Sequence, residues 1–434
     1  MALNYRRSGS SYEINIYDST NSSWESYMPI RQDGSTKYAQ LDSDTDHDNA
    51  SHMRVRKNGT TYAVLNTQTQ TLELWTWGEG YNGVTGHGDT VNRSSPVQVG
   101  NDTTWKMISI TPMESIGGNE CHALALKRDK TLWSWGLNQA GQLGQEDIIR
   151  RSSPVQIGSD TDWQTVSAGY HISAAIRSDN TLWTWGNGVY GSLGHGNTTY
   201  FSSPVQVGSL EDWEIVSAGY SCMGAIKTDG TLWTWGSNWS GQLAQGDKVY
   251  RSSPVQVGSD TNWSYIFNGS SAMFAIKTNG ELWVWGNNSV GMLGTGDTNY
   301  YSSPVQVGSL TNWEKVIGGD NHAYAKKTDG TIWAWGNNYN GQLGQGTNGI
   351  ATSVSSPVQI GSDTNWLDIT TASRSGFAIK TTGTFWSWGQ NSYGQLGLGD
   401  RESVSSPTQV GSDTDWAALG VASYTQGVAL RKSA

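Results

Sequence analysis

Residues 163–209 read WQTVSAGYHISAAIRSDNTLWTWGNGVYGSLGHGNTTYFSSPVQVGS, and this stretch recurs with few changes along most of the chain. Its motif W-x-W-G occurs seven times, at spacings of 58, 50, 50, 50, 50 and 53 residues. The copies begin at Trp75, Trp133, Trp183, Trp233, Trp283, Trp333 and Trp386. Seven S-S-P motifs and seven single Trp residues, from Trp105 to Trp416, keep the same register. The motif and single positions hold 21 of the 23 Trp residues, so we expect the Trp content to serve core packing.

Each copy of the repeat predicts four short β-strands. The segment WQTVSAG is short and β-prone, and ISAAIRSDNTLWTWG predicts two strands that meet at Asp179-Asn180. Equivalent pairs such as Asp229-Gly230 are typical of two-residue hairpin turns, which require positive φ angles. SSPVQVG predicts a fourth strand, and because its Pro has no backbone N–H it should open that strand or lie on an edge. The sequence therefore predicts an all-β, seven-bladed β-propeller over residues 72–434.

The two ends of the repeat region predict how the ring of blades closes. The first W-x-W-G, at Trp75, lacks the usual preceding Trp and strand. The last single Trp, Trp416, is followed by AALGVASYTQGVALRK without a further W-x-W-G. We therefore expect residues 416–432 to join residues 72–78 in a composite blade, which would remove the free sheet edges that invite aggregation.

The repeat resembles the regulator of chromosome condensation repeat. The matching tracts include HALALKRDKTLWSWGLNQAGQLGQ, from His122, and YAKKTDGTIWAWGNNYNGQLGQG, from Tyr324. The resemblance covers about residues 72–434 and implies a seven-bladed β-propeller. It implies little about function, because function depends on the loops that a fold carries.

Residues 1–66 form a separate module with its own threefold repeat. Its pieces are NYRRSGSSYEINI, PIRQDGSTKYAQL and RVRKNGTTYAVL, with turn glycines at Gly9, Gly34 and Gly59 and tyrosines at Tyr12, Tyr38 and Tyr62. Each piece predicts a small β-hairpin. So few aliphatic residues make a thin core, so we expect this module to form homo-oligomers or to dock on a larger body. TQTQT, at 67–71, is polar and predicts a linker.

This first module resembles small β-hairpin repeats of bacteriophage tail-associated proteins. The matching tracts are SHMRVRKNGTTYAVL and YMPIRQDGSTKYAQL. The resemblance implies a virion component, in which residues 1–66 contact other virion proteins and the propeller faces outward.

Composition and motifs narrow the classes of function. The net charge of −10 argues against nucleic-acid binding, which needs a concentrated positive surface. No apolar stretch is long enough for a transmembrane helix, and the N-terminus has no signal-peptide core, so we expect no membrane insertion. There is no G-x-S-x-G, phosphate-binding loop or H-E-x-x-H motif, so we expect neither an enzyme nor a cofactor.

Three groups of residues qualify weakly as metal or redox sites. The run DSDTDHD, Asp42 to Asp48, begins like a calcium loop, but His47 and Met53 stand where Gly and Glu are needed. His122, His171 and His322 precede the second strand of their repeats, and we expect them to bond backbone groups rather than a metal. Cys121 and Cys222 lie two repeats apart, which argues against a disulfide. We therefore predict no metal site.

The candidates for partner binding are aromatic residues at loop positions that differ between the copies of the repeat, although the surrounding motifs are the same. The candidate positions are Tyr170, Tyr220, Tyr424 and Arg374 before the second strand, and Tyr190, Trp239, Tyr339 and Tyr393 after W-x-W-G. Tyr81 belongs with the latter, and Tyr200, Phe201, Tyr250, Tyr300 and Tyr301 precede or open the S-S-P strand. Exposed aromatic loops favour recognition of proteins or sugars. The alternative is that these rings pack against neighbouring loops.

The sequence thus predicts a non-enzymatic phage virion protein, such as a tail fibre, tail-associated or decoration protein. Its propeller would bind a host-surface protein or glycan, or a virion partner, and it would be located in the virion or, failing that, in the cytoplasm. The alternative is a propeller-type protein–protein interaction module, such as an inhibitor or a small-GTPase regulator. The chain lacks the basic N-terminal tail and the extended wedge loop that the regulator role implies.

Overall fold

A computed structural model describes residues 71–111, 121–422 and 425–433 in full and, before residue 71, the backbone of six strands. The chain divides into two compact units, Met1–Gln70 and Thr71–Ala434. Several residues singled out above lie outside the described residues: Tyr424, the Asp42 to Asp48 run, and the turn glycines Gly9, Gly34 and Gly59.

The first unit contains three antiparallel β-hairpins, as its threefold repeat predicts. Its strands are β1 (Ala2–Arg7), β2 (Ser10–Asn15), β3 (Tyr27–Gln32), β4 (Ser35–Leu41), β5 (His52–Lys57) and β6 (Thr60–Leu65). β1 pairs with β2, β3 with β4, and β5 with β6. β4 also pairs with β5, which gives a four-stranded sheet in the order β3-β4-β5-β6.

The described strands of the second unit form seven four-stranded sheets, which are the blades of a β-propeller. We name the strands of each blade a to d from the centre outward. Blade 1 contains β33 (Trp416–Leu419), β34 (Gln426–Lys432), β7 (Leu72–Gly78) and β8 (Arg93–Gln98). Blade 2 contains β9 (Trp105–Ile110), β10 (His122–Lys127), β11 (Leu132–Gly136) and β12 (Arg151–Gln156). Blade 3 contains β13 (Trp163–Ala168), β14 (Ile172–Arg177), β15 (Leu182–Gly186) and β16 (Phe201–Gln206). Blade 4 contains β17 (Trp213–Ala218), β18 (Cys222–Lys227), β19 (Leu232–Gly236) and β20 (Arg251–Gln256).

The remaining blades have the same layout. Blade 5 contains β21 (Trp263–Asn268), β22 (Ala272–Lys277), β23 (Leu282–Gly286) and β24 (Tyr301–Gln306). Blade 6 contains β25 (Trp313–Gly318), β26 (His322–Lys327), β27 (Ile332–Gly336) and β28 (Val354–Gln359). Blade 7 contains β29 (Trp366–Ala372), β30 (Ser375–Lys380), β31 (Phe385–Gly389) and β32 (Val404–Gln409). Short 3-10 helices occur at Tyr81–Gly83, Val189–Gly191 and Ile350–Thr352. Among the described residues, no helix has the length and apolar content to span a membrane.

Blade 1 is built from both ends of the propeller region. β34 pairs with β7 from Gln426↔Gly78 to Lys432↔Leu72, and β33 lies on the inner side of β34. β7 in turn pairs with β8. The four strands of blade 1 thus come from two distant parts of the chain. Blade 1 therefore has the same number of strands as the other blades.

The S-S-P strands are the outermost strands of the blades. β16, for example, pairs with β15 alone in its sheet, and its Pro204 lies in the middle of the strand. An edge position tolerates Pro because one side of the strand has no hydrogen-bonding partner. The sequence predicted that this Pro opens its strand or lies on a sheet edge, and the structure places it on an edge.

The hairpin turns between strands b and c differ from the two-residue turns that the sequence predicts. In blade 4 the amide of Gly230 donates to Lys227 O at 2.9 Å, and the amide of Lys227 donates to Thr231 O at 3.0 Å. Only Gly230, with φ +77°, is left-handed, so this is a three-residue loop with a bulge. Asp229 acts through its side chain instead, since its Oδ1 accepts the Thr231 amide at 2.9 Å.

The second Trp of each W-x-W-G motif joins neighbouring blades. These rings are fully buried, and six of them donate an indole N–H to a backbone carbonyl in the c–d loop of the preceding blade at 2.7–2.9 Å. The pairs are Trp77–Gln395, Trp135–Val84, Trp185–Gln142, Trp285–Gln242, Trp335–Met292 and Trp388–Gln342. The equivalent Trp235 has no acceptor among the described residues. The expected packing role of the Trp residues therefore includes a repeated hydrogen bond between blades.

Candidate interaction face

Two sets of loops share one end of the propeller. Adjacent strands of each blade are antiparallel, so the a–b loops and the c–d loops lie at the same end. We call this end the loop face, and the end with the b–c and d–a loops the opposite face. The aromatic candidates before the second strand lie in a–b loops, and those after W-x-W-G lie in c–d loops. The topology therefore places the described candidates of both sets on one face, which the sequence does not show.

Exposed apolar side chains are concentrated in the c–d loops of the loop face. Most of the exposed large hydrophobic residues of the described chain belong to these loops: Tyr81, Val91, Ile148, Ile149, Tyr200, Trp239, Val249, Tyr250, Tyr300, Tyr339 and Ile350. On the opposite face this class contains Leu210 and Leu310, which lie in d–a loops. The sequence interpretation missed the aliphatic members because it considered only aromatic rings. An apolar side chain in an otherwise polar loop was the available signal.

Three aromatic rings from blades 3 and 4 form one cluster, which we call the aromatic triad. Tyr190, in the c–d loop of blade 3, contacts Trp239 edge to face, with 4.6 Å between ring centroids. Tyr250 lies 5.2 Å from Tyr190 and 5.7 Å from Trp239, again edge to face. Trp239 and Tyr250 remain 46% and 39% exposed. The triad therefore presents a continuous aromatic surface across a blade boundary.

The backbone at Tyr190 is in an unfavourable conformation. Its φ of +63° lies in the left-handed region, which a bulky residue seldom adopts. The difference from blade 4 starts at Gly188, which stands where blade 4 has Asn238; blade 1, with Gly80 there, has the same turn and Asn82 at φ +56°. The Asn238 amide accepts the Leu243 N–H and donates to the carbonyls of Asp247 and Val249, so it organises the loop. Blade 3 lacks that amide and instead forms a 3-10 turn that turns the Tyr190 ring toward blade 4.

A second aromatic group lies in the a–b loops around the central axis. Tyr170 and Tyr220 stack with 4.3 Å between centroids and an interplanar angle of 12°. The ring centroids of His171 and Tyr170 are 4.2 Å apart. The backbone holds the two loops together, because the Tyr170 amide donates to Gly219 O at 3.0 Å. Both tyrosines are half-buried, and the stack covers part of the surface of each ring.

The other candidates do not join these groups. Tyr339 is exposed on blade 6, and Tyr393 and Arg374 are half-buried on blade 7. Phe201 and Tyr301 are the first residues of outer strands, where they pack partly buried against the core. For these last two rings the packing alternative describes the structure, and the Tyr301 hydroxyl also donates to Asp297 Oδ2 at 2.6 Å.

Ion pairs stabilise c–d loops of the loop face. Arg93 and Arg251 contact Asp89 and Asp247 at 2.8 and 2.6 Å. The hydrogen bond from Arg93 lowers the pKa of Asp89 to about 2. The Val249 amide and then Arg251 lower the pKa of Asp247. At neutral pH these carboxylates are ionised and bonded to Arg and backbone groups of their own loop. They therefore stabilise the loops rather than act as acids or bases.

The charges of the opposite face make contacts within each blade. In blade 4, Lys227 lies over two rings, 5.0 Å from the Trp213 centroid and 4.4 Å from the Trp233 centroid. Its Nζ contacts Asp212 at 3.2 Å. Blades 1, 2, 3, 5 and 7 repeat this arrangement of a cation between two Trp rings and an Asp. The charged d–a loops therefore serve the fold.

His122, His322 and both cysteines are buried, and His171 is half-buried. His122 is the first residue of its b strand, and its Nε2 lies 2.8 Å from Ser173 Oγ, while His322 Nε2 lies 3.1 Å from Thr371 Oγ1. Burial lowers the pKa of both to about 3. Cys121 and Cys222 are also buried and are not bonded to each other. In the described part of the chain, no three His, Cys, Asp or Glu side chains are grouped as a metal site.

Comparison with known proteins places the repeats in a family. The model of the regulator of chromosome condensation (RCC1) repeat matches residues 73–111, 129–176, 179–226, 229–276, 279–325, 329–379 and 382–423. Each match begins near a c strand and ends in the next blade, five of the seven within its b strand, so each sequence repeat spans two blades.

Relatives share the repeat over short stretches. Alsin of Rattus norvegicus is 33% identical over 104 residues, which are 23% of this chain and 6% of alsin. The ultraviolet-B receptor UVR8 of Arabidopsis thaliana is 31% identical over 93 residues, 21% of this chain and 20% of the receptor. The similarity thus covers only a small part of these curated relatives.

Solved structures share the fold over most of the chain. Prp20p of Saccharomyces cerevisiae superimposes with a TM-score of 0.74 at 19% identity, over 85% of this chain and 93% of that one. Human WBSCR16 superimposes with a TM-score of 0.72 at 19% identity, over 83% of this chain and 99% of that one. Seven family matches and this common architecture agree: the chain belongs to the regulator of chromosome condensation (RCC1) repeat family and contains a seven-bladed β-propeller.

Proposed function

We propose that this protein is a non-enzymatic protein-interaction module that binds a partner protein through the loop face of its propeller. The observation that carries the proposal is the concentration of exposed apolar side chains in the c–d loops. Exposed apolar groups in a contiguous region mark interaction sites, and Trp and Tyr are enriched where binding energy is concentrated. The opposite face offers mainly charges that already contact Trp rings and carboxylates within their own blade.

Partner binding by a related propeller supports the same proposal. Yeast Prp20p is described by its binding to Gsp1p and histones, and it has been crystallised with Kap60 bound. At identities of 19% and 18%, this likeness shows the fold and does not transfer those partners. An inhibitor and a small-GTPase regulator remain two specific forms of the proposed module.

Matched substitutions on the two faces test this proposal. Trp239 on the loop face and Leu310 on the opposite face are both 46% exposed. We expect Trp239→Ala to abolish retention of partner proteins from a source lysate, while Leu310→Ala retains them and both variants keep the parental Tm. Equal retention by the two variants would contradict the loop face as the binding surface.

A second candidate is the virion protein that the first unit suggests. It is supported by the phage-like tracts of residues 1–66 together with the hairpin that the structure places at each copy of their repeat. In this form the first unit would oligomerise and contact virion proteins, and the loop face would bind a host-surface protein or glycan. Mass spectrometry of purified phage particles should then detect the full chain in stoichiometric amounts. Its absence from particles of a phage that expresses it would rule this candidate out.

A further inference from the structure

The aromatic triad carries hydrogen-bonding groups that the protein does not use. No partner among the described residues bonds the Trp239 indole N–H or the Tyr190 and Tyr250 hydroxyls. Buried Trp rings elsewhere donate to carbonyls, as Trp285 does to Gln242 at 2.8 Å. The triad thus combines exposed ring area with three available donors.

The stronger polar groups beside the triad are already bonded within the protein. The Asn238 amide is bonded through both its oxygen and its nitrogen, to Leu243 and to Asp247 and Val249. The Asp247 carboxylate accepts from Asn238, the Val249 amide and Arg251. The site therefore offers a ligand few free carboxylate or amide acceptors. Because sugar hydroxyls need such acceptors as well as donors, the site is less suited to a sugar.

The two c–d loops that carry the triad contain one exposed cation outside an ion pair, Lys248. The c–d loop of blade 3, residues 187–200, contains no Asp, Glu, Lys or Arg, although the whole chain carries −10. In blade 4 the Asp247–Arg251 pair compensates itself at 2.6 Å. An anionic ligand finds only Lys248 in these two loops, whereas an uncharged segment with exposed carbonyls and apolar faces matches the ring area and the donors of the triad.

We propose that the aromatic triad docks a proline-rich, extended segment of the partner protein. A polyproline II segment has apolar rings and carbonyls without internal hydrogen-bond partners, and it is ordered before binding. The Tyr and Trp rings pack on the prolines while the ring N–H and O–H groups donate to the carbonyls. A cation held between the rings does not fit, because the three rings already contact one another at 4.6–5.7 Å between centroids.

The strained backbone of Tyr190 agrees with this role. The left-handed backbone of Tyr190 is unfavourable, and no hydrogen bond of the ring offsets it. Strain of this kind is found where a side chain must be positioned for binding. Its effect is to set the Tyr190 ring against Trp239 and so close one end of the platform. Tyr190→Gly should therefore remove the docking surface without loss of fold stability.

The inference rests on the proposed function, and its test is separate from the lysate experiment. The full chain is labelled with 15N at the Trp indole, and the Trp239 signal is assigned by its loss in Trp239→Phe. Titration with decaproline should shift this signal with a saturable curve, and a Gly-Ser decapeptide should not shift it. Tyr190→Gly should weaken decaproline binding about tenfold or more. Tyr339→Ala, an equally simple change of an exposed ring on blade 6, should leave it unchanged.

Two results would overturn the inference. If maltoheptaose shifts the Trp239 signal and decaproline does not, the triad is a sugar site. If neither shifts it, proline docking is wrong. Loss of lysate partners in Trp239→Ala would still support the proposed function in that case, so the two failures are distinguishable.

Discussion

At the scale of single residues, the inter-blade hydrogen bond of the second W-x-W-G Trp has a built-in comparison. Trp285 donates to Gln242 O at 2.8 Å, whereas the equally buried Trp235 has no acceptor among the described residues. Replacement by Phe removes part of the ring in both cases, but it leaves a carbonyl without its donor only at position 285. We expect Trp285→Phe to lower the free energy of unfolding by about 1 kcal/mol more than Trp235→Phe does. Urea unfolding of both variants measures this, and equal losses would mean that the bond contributes nothing.

The two buried histidines predict acid sensitivity. Burial lowers the pKa of His122 and of His322 to about 3, against 6.5 for an ordinary histidine. Between these values the unfolded chain binds protons that the folded chain does not, so the free energy of unfolding falls as the pH falls from 6.5 toward 3. Each histidine should account for a loss of about 2.5 kcal/mol between pH 7 and pH 4.5. His322→Gln should reduce the measured loss by that amount, and an unchanged loss would show that His322 titrates normally.

At the scale of elements, the b–c turn predicts which substitutions a blade tolerates. Gly230 has φ +77°, and a Cβ there would lie 2.2 Å from the Thr261 carbonyl oxygen. Gly230→Ala should therefore cost about 2 kcal/mol or more. Asn180 occupies the same turn position in blade 3 with φ +64°, so Asn180→Gly is the control and should cost little. Thermal unfolding compares them, and a neutral Gly230→Ala would show that the turn rearranges easily.

At the scale of the whole molecule, closure of the ring depends on β34. This strand pairs on one side with β33 and on the other with β7, so its removal leaves two edges unpaired. Deletion of residues 425–434 should lower the free energy of unfolding by about 5 kcal/mol or more and produce association through these edges. Deletion of residues 433–434 alone retains β34 and should unfold like the parent. Urea unfolding with size-exclusion chromatography tests both, and a stable monomer after the longer deletion would contradict this account of closure.

The sequence alone determined the fold class and the number of blades, because seven copies of W-x-W-G and S-S-P repeat a local pattern that reports on packing. It also showed which loops carry Tyr190, Trp239 and Tyr250. The type of hairpin turn did not follow from Asp229-Gly230, because turn geometry depends on where the strands pair and on side-chain bonds such as that of Asp229. The tertiary structure alone decided that the a–b and c–d loops share one face and that rings 49 and 60 residues from Tyr190 meet it. Such contacts cross a blade boundary, and the distance between blades is set by the closed ring rather than by any local stretch of sequence.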